Sequence, residues 1–181
     1  MWYPAKVTEA PATLPVTADE VKLRLRIDAA DDATDIALLI AAATDHVEKY
    51  CNTPLVSRTV EVKCDSFADI AYLPIAPVSA VASITYIDAA GAEQTLPDTV
   101  YELHSDGLST AIVLKPGQVW PVVQTGSRIT VTATVGYAEV PPAVKHAILL
   151  FIADAYAVRE NGAVPSWTAF DSLLSNYRRG I

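Results

Sequence analysis

The side chains able to do chemistry are few and scattered. The chain has three histidines, His46, His104 and His146, and they fall on three different predicted elements. None has a second His or a Cys at the spacing by which a zinc site gathers its ligands. His46 stands five residues before Cys51, an isolated pair. The acidic run "DAADDATD" lacks the turn glycine and the distant bidentate glutamate of a calcium loop. Helix capping and a solvated loop account for it. Asp65, Asp69 and Asp88 could approach one another as a carboxylate pair for glycoside hydrolysis. With twenty-one acidic residues in the chain, such a pair has almost no weight.

The motifs that carry catalysis or nucleotide binding are missing. There is no Gly-x-Gly-x-x-Gly, no phosphate-cradling Gly-x-x-x-x-Gly-Lys, no His-Glu-x-x-His and no Gly-x-Ser-x-Gly. No catalytic residue, metal ligand or cofactor is therefore expected, and the chain is not read as an enzyme. Cys51 and Cys64 do not make a disulfide framework, and two buried, reduced thiols are expected.

Composition narrows the class further. The 181 residues are 51% hydrophobic and 19% charged, enough for one domain, or a domain with an inserted subdomain, around a packed core. The net charge of −8 argues against a protein that grips nucleic acid. Arg178 and Arg179 give the one local basic hint. No run of about 18 apolar residues is present, so no membrane-spanning helix is expected. The opening "MWYPAKVTEAPATLP" does not read as a secretory signal.

The elements follow from periodicity. Residues 1–16, with Pro4, Pro11 and Pro15, read as an extended N-terminal arm whose Trp2 and Tyr3 either pack on something or fray. "TADE" is a capping box, Thr17 with Glu20, opening a short helix to about Arg26. Asp31 or Asp32 caps a second helix. There Ile36, Leu39, Ile40, Ala43, Val47 and Tyr50 share one face, and Asn52 and Pro54 end it. The period then changes to two. "SRTVEVKCD" alternates, and "AVASITYIDAAGAEQTL" and "VYELHSDGLSTAIVL" read as strand, turn and strand. Trp120 reads as a turn anchor packed on the sheet.

"RITVTATVGY" is the clearest strand, with Ile129, Val131, Ala133 and Val135 on its buried face. Pro141 and Pro142 open a helix to Arg159. Its centre, "AILLFIA", is apolar all round and must be covered on most sides. Ile148 and Phe151 are expected to be buried in the monomer, with Tyr156 and Arg159 nearer an assembly surface. A last amphipathic segment carries Trp167, Phe170, Leu174 and Tyr177. The expected class is α+β: a helical bundle, residues 17–55 and 141–178, with a small antiparallel β-sheet subdomain, 56–140, inserted.

Three blocks in this order resemble the head–tail connector proteins of tailed phages. These adaptor or head-completion proteins are also carried by prophages and gene transfer agents. The first block is "LRID" followed by Asp31, Asp32, Leu39, Ile40, Ala42, Ala43, Val47, Glu48, Tyr50, Pro54 and Leu55. The second runs from "LPIAPVSAVASITYIDAAGAEQTL" into Tyr101, Leu114, Gly117, Trp120 and Pro121. The third is "GYAEVPPAVKHAILLFIADAYAVRE".

The resemblance spans about residues 15–177. It implies a non-enzymatic structural protein of the virion neck, assembled in the host cytoplasm. Such proteins form a ring of identical copies, often twelvefold, beneath the portal protein. The ring extends the DNA channel and docks a head-completion (stopper) or tail protein. DNA would pass through without specific contact, and no membrane partner is implied. An acidic chain suits a channel through which DNA must slide. The short tail "RRGI" departs from the C-terminal reach expected of this family. The N-terminal arm is therefore expected to share in bridging to the portal. The expected partner-interface residues are Trp2, Tyr3, Tyr156, Arg159, Trp167, Arg178 and Arg179. The alternatives are another neck or tail-completion protein, a carbohydrate- or surface-binding β module, or a small hydrolase.

Overall fold

A computed structural model describes residues 1–27, 33–158 and 168–180. The described residues are α+β, with antiparallel sheets, and the chain divides into two compact units. One comprises Met1–Ala12 and Ser57–Tyr137, the other Thr13–Val56 and Ala138–Ile181. The first twelve residues thus belong to the sheet unit.

The sheet unit is built on strands β1 (Lys6–Glu9), β2 (Arg58–Cys64), β3 (Val78–Ile87), β4 (Glu93–Thr95) and β7 (Ile129–Val135) in the order β1-β2-β7-β3-β4. Every pairing is antiparallel. Strands β5 (Tyr101–Asp106) and β6 (Ser109–Leu114) form a separate hairpin. Central β7 shows why the alternation was readable. Ile129, Val131, Ala133 and Val135 are buried, and the three threonines between them are half-exposed. Period two places one set on the core and the other towards solvent. Ile84, Ile112, Leu73 and Ile70 complete the core beneath. Each such side chain contributes about 1.5–3 kcal/mol by leaving water.

Two bulges, around Ser79 and Ala82, interrupt the β3–β7 register. They twist this strand locally, beside an edge that β4 covers only from Thr85 to Ile87. The β3–β4 turn is held by Asp88, whose Oδ1 accepts the backbone N–H groups of Ala90 and Ala92. Gly91 there has φ +86°, which a side chain would resist.

The helical unit contains α1 (Ala18–Leu25), α2 (Ala33–Cys51), α3 (Pro142–Ala157) and α4 (Ala169–Leu174). Thr17 opens α1 as expected: its hydroxyl accepts the Glu20 N–H, and the Glu20 carboxylate accepts the Thr17 N–H at 2.7 Å. Arg26 closes α1 in the left-handed region. On α2 the buried set is Ile36, Ile40, Ala43, Val47 and Cys51, with Leu39 and Tyr50 half-exposed at the border of the stripe. Asn52, at φ 51°, follows its last turn. The expected aspartate cap of α2 lies outside the described residues.

The apolar helix is covered by its own unit. Across Ala147–Ala153 no residue is exposed, and α2, α1 and α4 all pack on α3. Ile148 is fully buried; Phe151 is only half-buried, because it sits at the margin against aromatic rings. Among the described residues no helix is long and apolar enough to cross a membrane.

Candidate assembly surfaces

In the sheet unit the N-terminal arm lies along β2 and its continuation. Lys6 and Val7 pair with Glu61 and Val60, and Trp2 bridges to Cys64. The Trp2 indole N–H donates to the Tyr72 carbonyl at 2.9 Å, and its ring packs on the core. The Tyr3 hydroxyl donates to Asp65 at 3.0 Å, and the Arg128 guanidinium lies 3.8 Å from the Tyr3 ring centre. The Met1 ammonium donates to Asp69 at 2.7 Å and lies 3.4 Å from Asp65. That ammonium and the Ser66 groups hold the Asp69 carboxyl below the usual aspartate range. Asp65 and Asp69, offered above as a possible carboxylate pair, thus share a cation, whereas Asp88 caps a turn.

The loop between β6 and β7 has a different character. Trp120 stacks flat on Phe67 at 4.9 Å, and Tyr86 meets Phe67 edge-on at 5.6 Å. The anchor expected of Trp120 is therefore present. On either side of it Val119 and Val122 stand 79% and 74% exposed. The sequence "VWPVV" did not announce them, because it carries no periodicity that separates a buried valine from an exposed one.

In the helical unit an aromatic cluster joins α2, α3 and α4. The His46 ring stacks on Phe151 at 4.8 Å and lies 5.6 Å from Phe170, while Tyr50 meets Phe170 edge-on at 5.4 Å. The Tyr50 hydroxyl donates to Asp171 at 2.7 Å. Asp171 also accepts the hydroxyl and N–H of Thr168, the N-cap of α4. The Thr168 hydroxyl, then Tyr50, lowers the Asp171 carboxyl below its ordinary value; donating that bond raises the Tyr50 phenol. Arg178 lies over the other aromatic partner, 4.5 Å from the Tyr50 ring centre.

The Tyr50–Phe170 part of the cluster was not foreseen, since it joins α2 to α4, where Tyr50 and its hydrogen-bond partner Asp171 are 121 residues apart in the chain. The local signal was present in His46 and Tyr50, one turn apart on α2.

The residues singled out from sequence therefore fare differently. Trp2 and Tyr3 are half-buried on the sheet unit. Tyr156 is half-exposed near the end of α3, and Arg178 is exposed beside Tyr50. Arg179 is 8% exposed and its backbone N–H donates to the Cys51 carbonyl at 2.8 Å, so it acts within its own unit. Arg159 and Trp167 lie outside the described residues. Exposed Leu23, Arg24 and Arg26 form an apolar and basic ridge on α1 that sequence reading passed over. Beside it lies a shallow depression of about 380 Å³, lined by Asp19, Lys22, Leu23, Arg26 and Ile27.

Both cysteines are free and buried, as expected. Burial raises Cys51 to about 11 and Cys64 to about 12, so neither is a reactive thiolate near neutrality. Among the described residues no group of three His, Cys, Asp or Glu is placed to hold a metal ion.

These features define an α+β protein of two units, each with its own aromatic cluster. The chain belongs to the head completion protein family, whose model matches residues 16–163. No curated protein matches the sequence. Among solved structures, it is similar to a chain of the neck of an empty gene transfer agent particle computed with C6 symmetry. The identity is 24%, the match covers 99% of this chain and 97% of that one, and the TM-score is 0.80. A chain of the virion of a native gene transfer agent particle matches with the same identity, coverage and TM-score. A chain of the native neck, computed with C12 symmetry, matches at 24% identity and TM-score 0.77, with the same coverage. These likenesses establish the shared fold.

Proposed function

We propose that the chain is a head–tail connector: a non-enzymatic virion protein that forms a ring beneath the portal protein, extends the DNA channel and receives a stopper or tail protein. The family match over residues 16–163 carries this reading. The fold likeness to neck chains imaged with sixfold and twelvefold symmetry supports a ring of copies. Location in the virion neck, after assembly in the host cytoplasm, follows from the same reading.

On this reading the helical parts, 17–55 and 141–178, act as a bundle facing assembly partners, and the inserted β part, 56–140, as a brace between copies. The arm, 1–16, contributes a further contact. Portal contact is assigned to Tyr156, Arg159, Trp167 and Arg178. Tyrosine, tryptophan and arginine are the residue types in which interface energy concentrates. Trp2 and Tyr3 serve contacts of the sheet unit, and Arg179 supports the bundle from within.

The test is to mix the purified protein with the portal protein of its own virus. Size-exclusion chromatography with light scattering, then imaging, should show a ring stacked coaxially on the portal. Tyr156→Ala with Arg178→Ala should weaken that complex while leaving the circular dichroism unchanged. A monodisperse monomer that never joins the portal, whether free or within the capsid, overturns the reading.

A further inference from the structure

We propose that in the assembled ring the N-terminal arm, residues 1–10, seats on the sheet unit of the adjacent copy rather than on its own. The proposal rests on the ring reading given above and adds the element that links the copies.

The seat and the chemistry of its occupant are both visible. The free edge of β2 receives β1 by antiparallel pairing, and the Tyr72 carbonyl, Asp65 and the Arg128 guanidinium receive Trp2 and Tyr3. Every one of these contacts is made by the arm with the sheet unit alone. An identical arm from another copy would make the same bonds, so exchange leaves the contact energy unchanged.

Beyond its first three residues the arm is held by the β1–β2 pairing and by polar surface contacts of Thr8 and Glu9 with Thr59. All four β1 residues are exposed, so β1 brings no side chain to the core. A register irregularity falls between Val7 and Glu9, which shortens the regular ladder. Trp2 is the one arm residue packed on the core cluster.

The connection does not anchor the arm. The chain passes from the sheet unit to the helical unit between Ala12 and Thr13. Residues Ala12, Thr13 and Leu14 are exposed, and Pro11 and Pro15 flank them. Prolines stiffen such a linker and hold it extended.

What decides between the two seats is then local concentration. For a free chain in dilute solution, the chain's own seat wins because it is tethered. In a ring, each seat has a neighbour's arm fixed beside it, which raises that arm's effective concentration and offsets the association cost. Each copy gives one arm and receives one. That is a head-to-tail contact, which closes into a ring when the rotation between copies allows it.

The experiment uses full-length chains carrying single cysteines at register partners, Lys6→Cys in one preparation and Glu61→Cys in another. The native cysteines are buried and stay silent. Mixed in equal amounts and assembled on the portal protein, then mildly oxidised, the two preparations can form a 6–61 disulfide only between copies. The expected result is a covalent dimer in the ring fraction, identified as the 6–61 peptide by mass spectrometry and absent from the unassembled mixture.

A chain carrying both substitutions serves as calibration. Free in solution it should close an internal bridge; assembled in rings it should run as a ladder of covalent oligomers. Glu9→Cys with Thr59→Cys, the next register pair, repeats the measurement should the first pair close poorly. Rings that contain only internal bridges overturn the exchange and leave the connector reading standing. Rings in which neither kind of bridge forms place the arm elsewhere and also overturn it. Failure to form any ring on the portal removes the connector reading, and the exchange falls with it.

Discussion

In the sheet unit Phe67 lies against Trp120 on one side and Tyr86 on another, and it is itself buried. In the helical unit the rings of Tyr50, Phe151 and Phe170 are half-buried and His46 is exposed. Geometry accounts for the difference. A five-stranded sheet offers a continuous face that a loop can close over. A helix offers a stripe, and six-residue α4 is too short to cover all of the stripe's border. The sheet unit therefore completes its aromatic packing internally, whereas the helical unit leaves an aromatic margin open to solvent.

The most direct way to break that comparison is to remove one ring from each unit. Phe67→Ala should cost about 3–5 kcal/mol, the range for a buried aromatic. Phe170→Ala should cost about 1–2 kcal/mol, since much of its area already meets water. Urea unfolding followed by circular dichroism measures both. Equal costs would mean that the helical cluster is as much a core as the other.

Alkaline pH sharpens the comparison, because each unit buries one thiol. Burial raises Cys51 to about 11, with Arg178 opposing, and Cys64 to about 12, with Asp69 adding to the rise. The unfolded thiol ionises near its ordinary value of 9.0. A raised folded value stabilises the fold below pH 9, and that stability drains away as pH climbs through the folded value. The loss should be on the order of 2–4 kcal/mol per thiol, at about 1.4 kcal/mol for each unit of displacement. Denaturation midpoints between pH 8 and about 11 should fall in the natural protein. Cys64→Ala and Cys51→Ala should each flatten part of that fall, and Cys64→Ala should remain the more effective at the upper end. Identical profiles in all three proteins would contradict the burial of both thiols.

Local signals carried most of the elements. The capping box at Thr17, the alternation from Ile129 to Val135 and the proline pair opening α3 each act within a few residues, so sequence suffices to see them. The apolar centre of α3 left two readings open, its own core or a partner, because periodicity says that a face must be covered and not by what. Its cover proves to be α1, α2 and α4.

The arm shows the opposite limit. Trp2 left packing and fraying both open, and its contact is a carbonyl at Tyr72, seventy residues away. No local pattern specifies a partner at that distance. Arg178 and Arg179 were read together as a basic end, but one side chain lies exposed over Tyr50 while its neighbour is buried. Adjacent residues in an irregular segment point in different directions, and only tertiary packing decides which is which.

The helical unit also depends on two capping boxes, at Thr17 and Thr168. Thr17→Ala and Thr168→Ala should each destabilise by about 1 kcal/mol. Thr168 additionally orients the Asp171 that Tyr50 donates to, so Thr168→Ala should add a loss of order in the aromatic cluster, read as broadened Tyr50 and Phe170 resonances. A sharp spectrum after that substitution would show that the cluster stands without its cap.

The smallest expected effect lies at the acid end, and it separates the units by mechanism. Asp69 in the sheet unit and Asp171 in the helical unit are both held below the ordinary aspartate value of 3.8. A lowered folded value contributes stability above the unfolded value, lost as pH falls through the folded one. Both units should therefore weaken below about pH 4, and Asp69→Asn or Asp171→Asn should flatten the acid limb. The partners differ, however. The main partner of Asp69 is an ammonium group, and those of Asp171 are neutral hydroxyls. Raising ionic strength screens an exposed ion pair but hardly alters a hydrogen bond between a carboxylate and a hydroxyl. Thermal midpoints taken near pH 5 at low and high salt should show the effect of Asp69→Asn shrinking with salt and that of Asp171→Asn staying constant. If both shrink alike, the helical contact is held by charge, and the exposed Arg178 near Tyr50 becomes the group that supplies it.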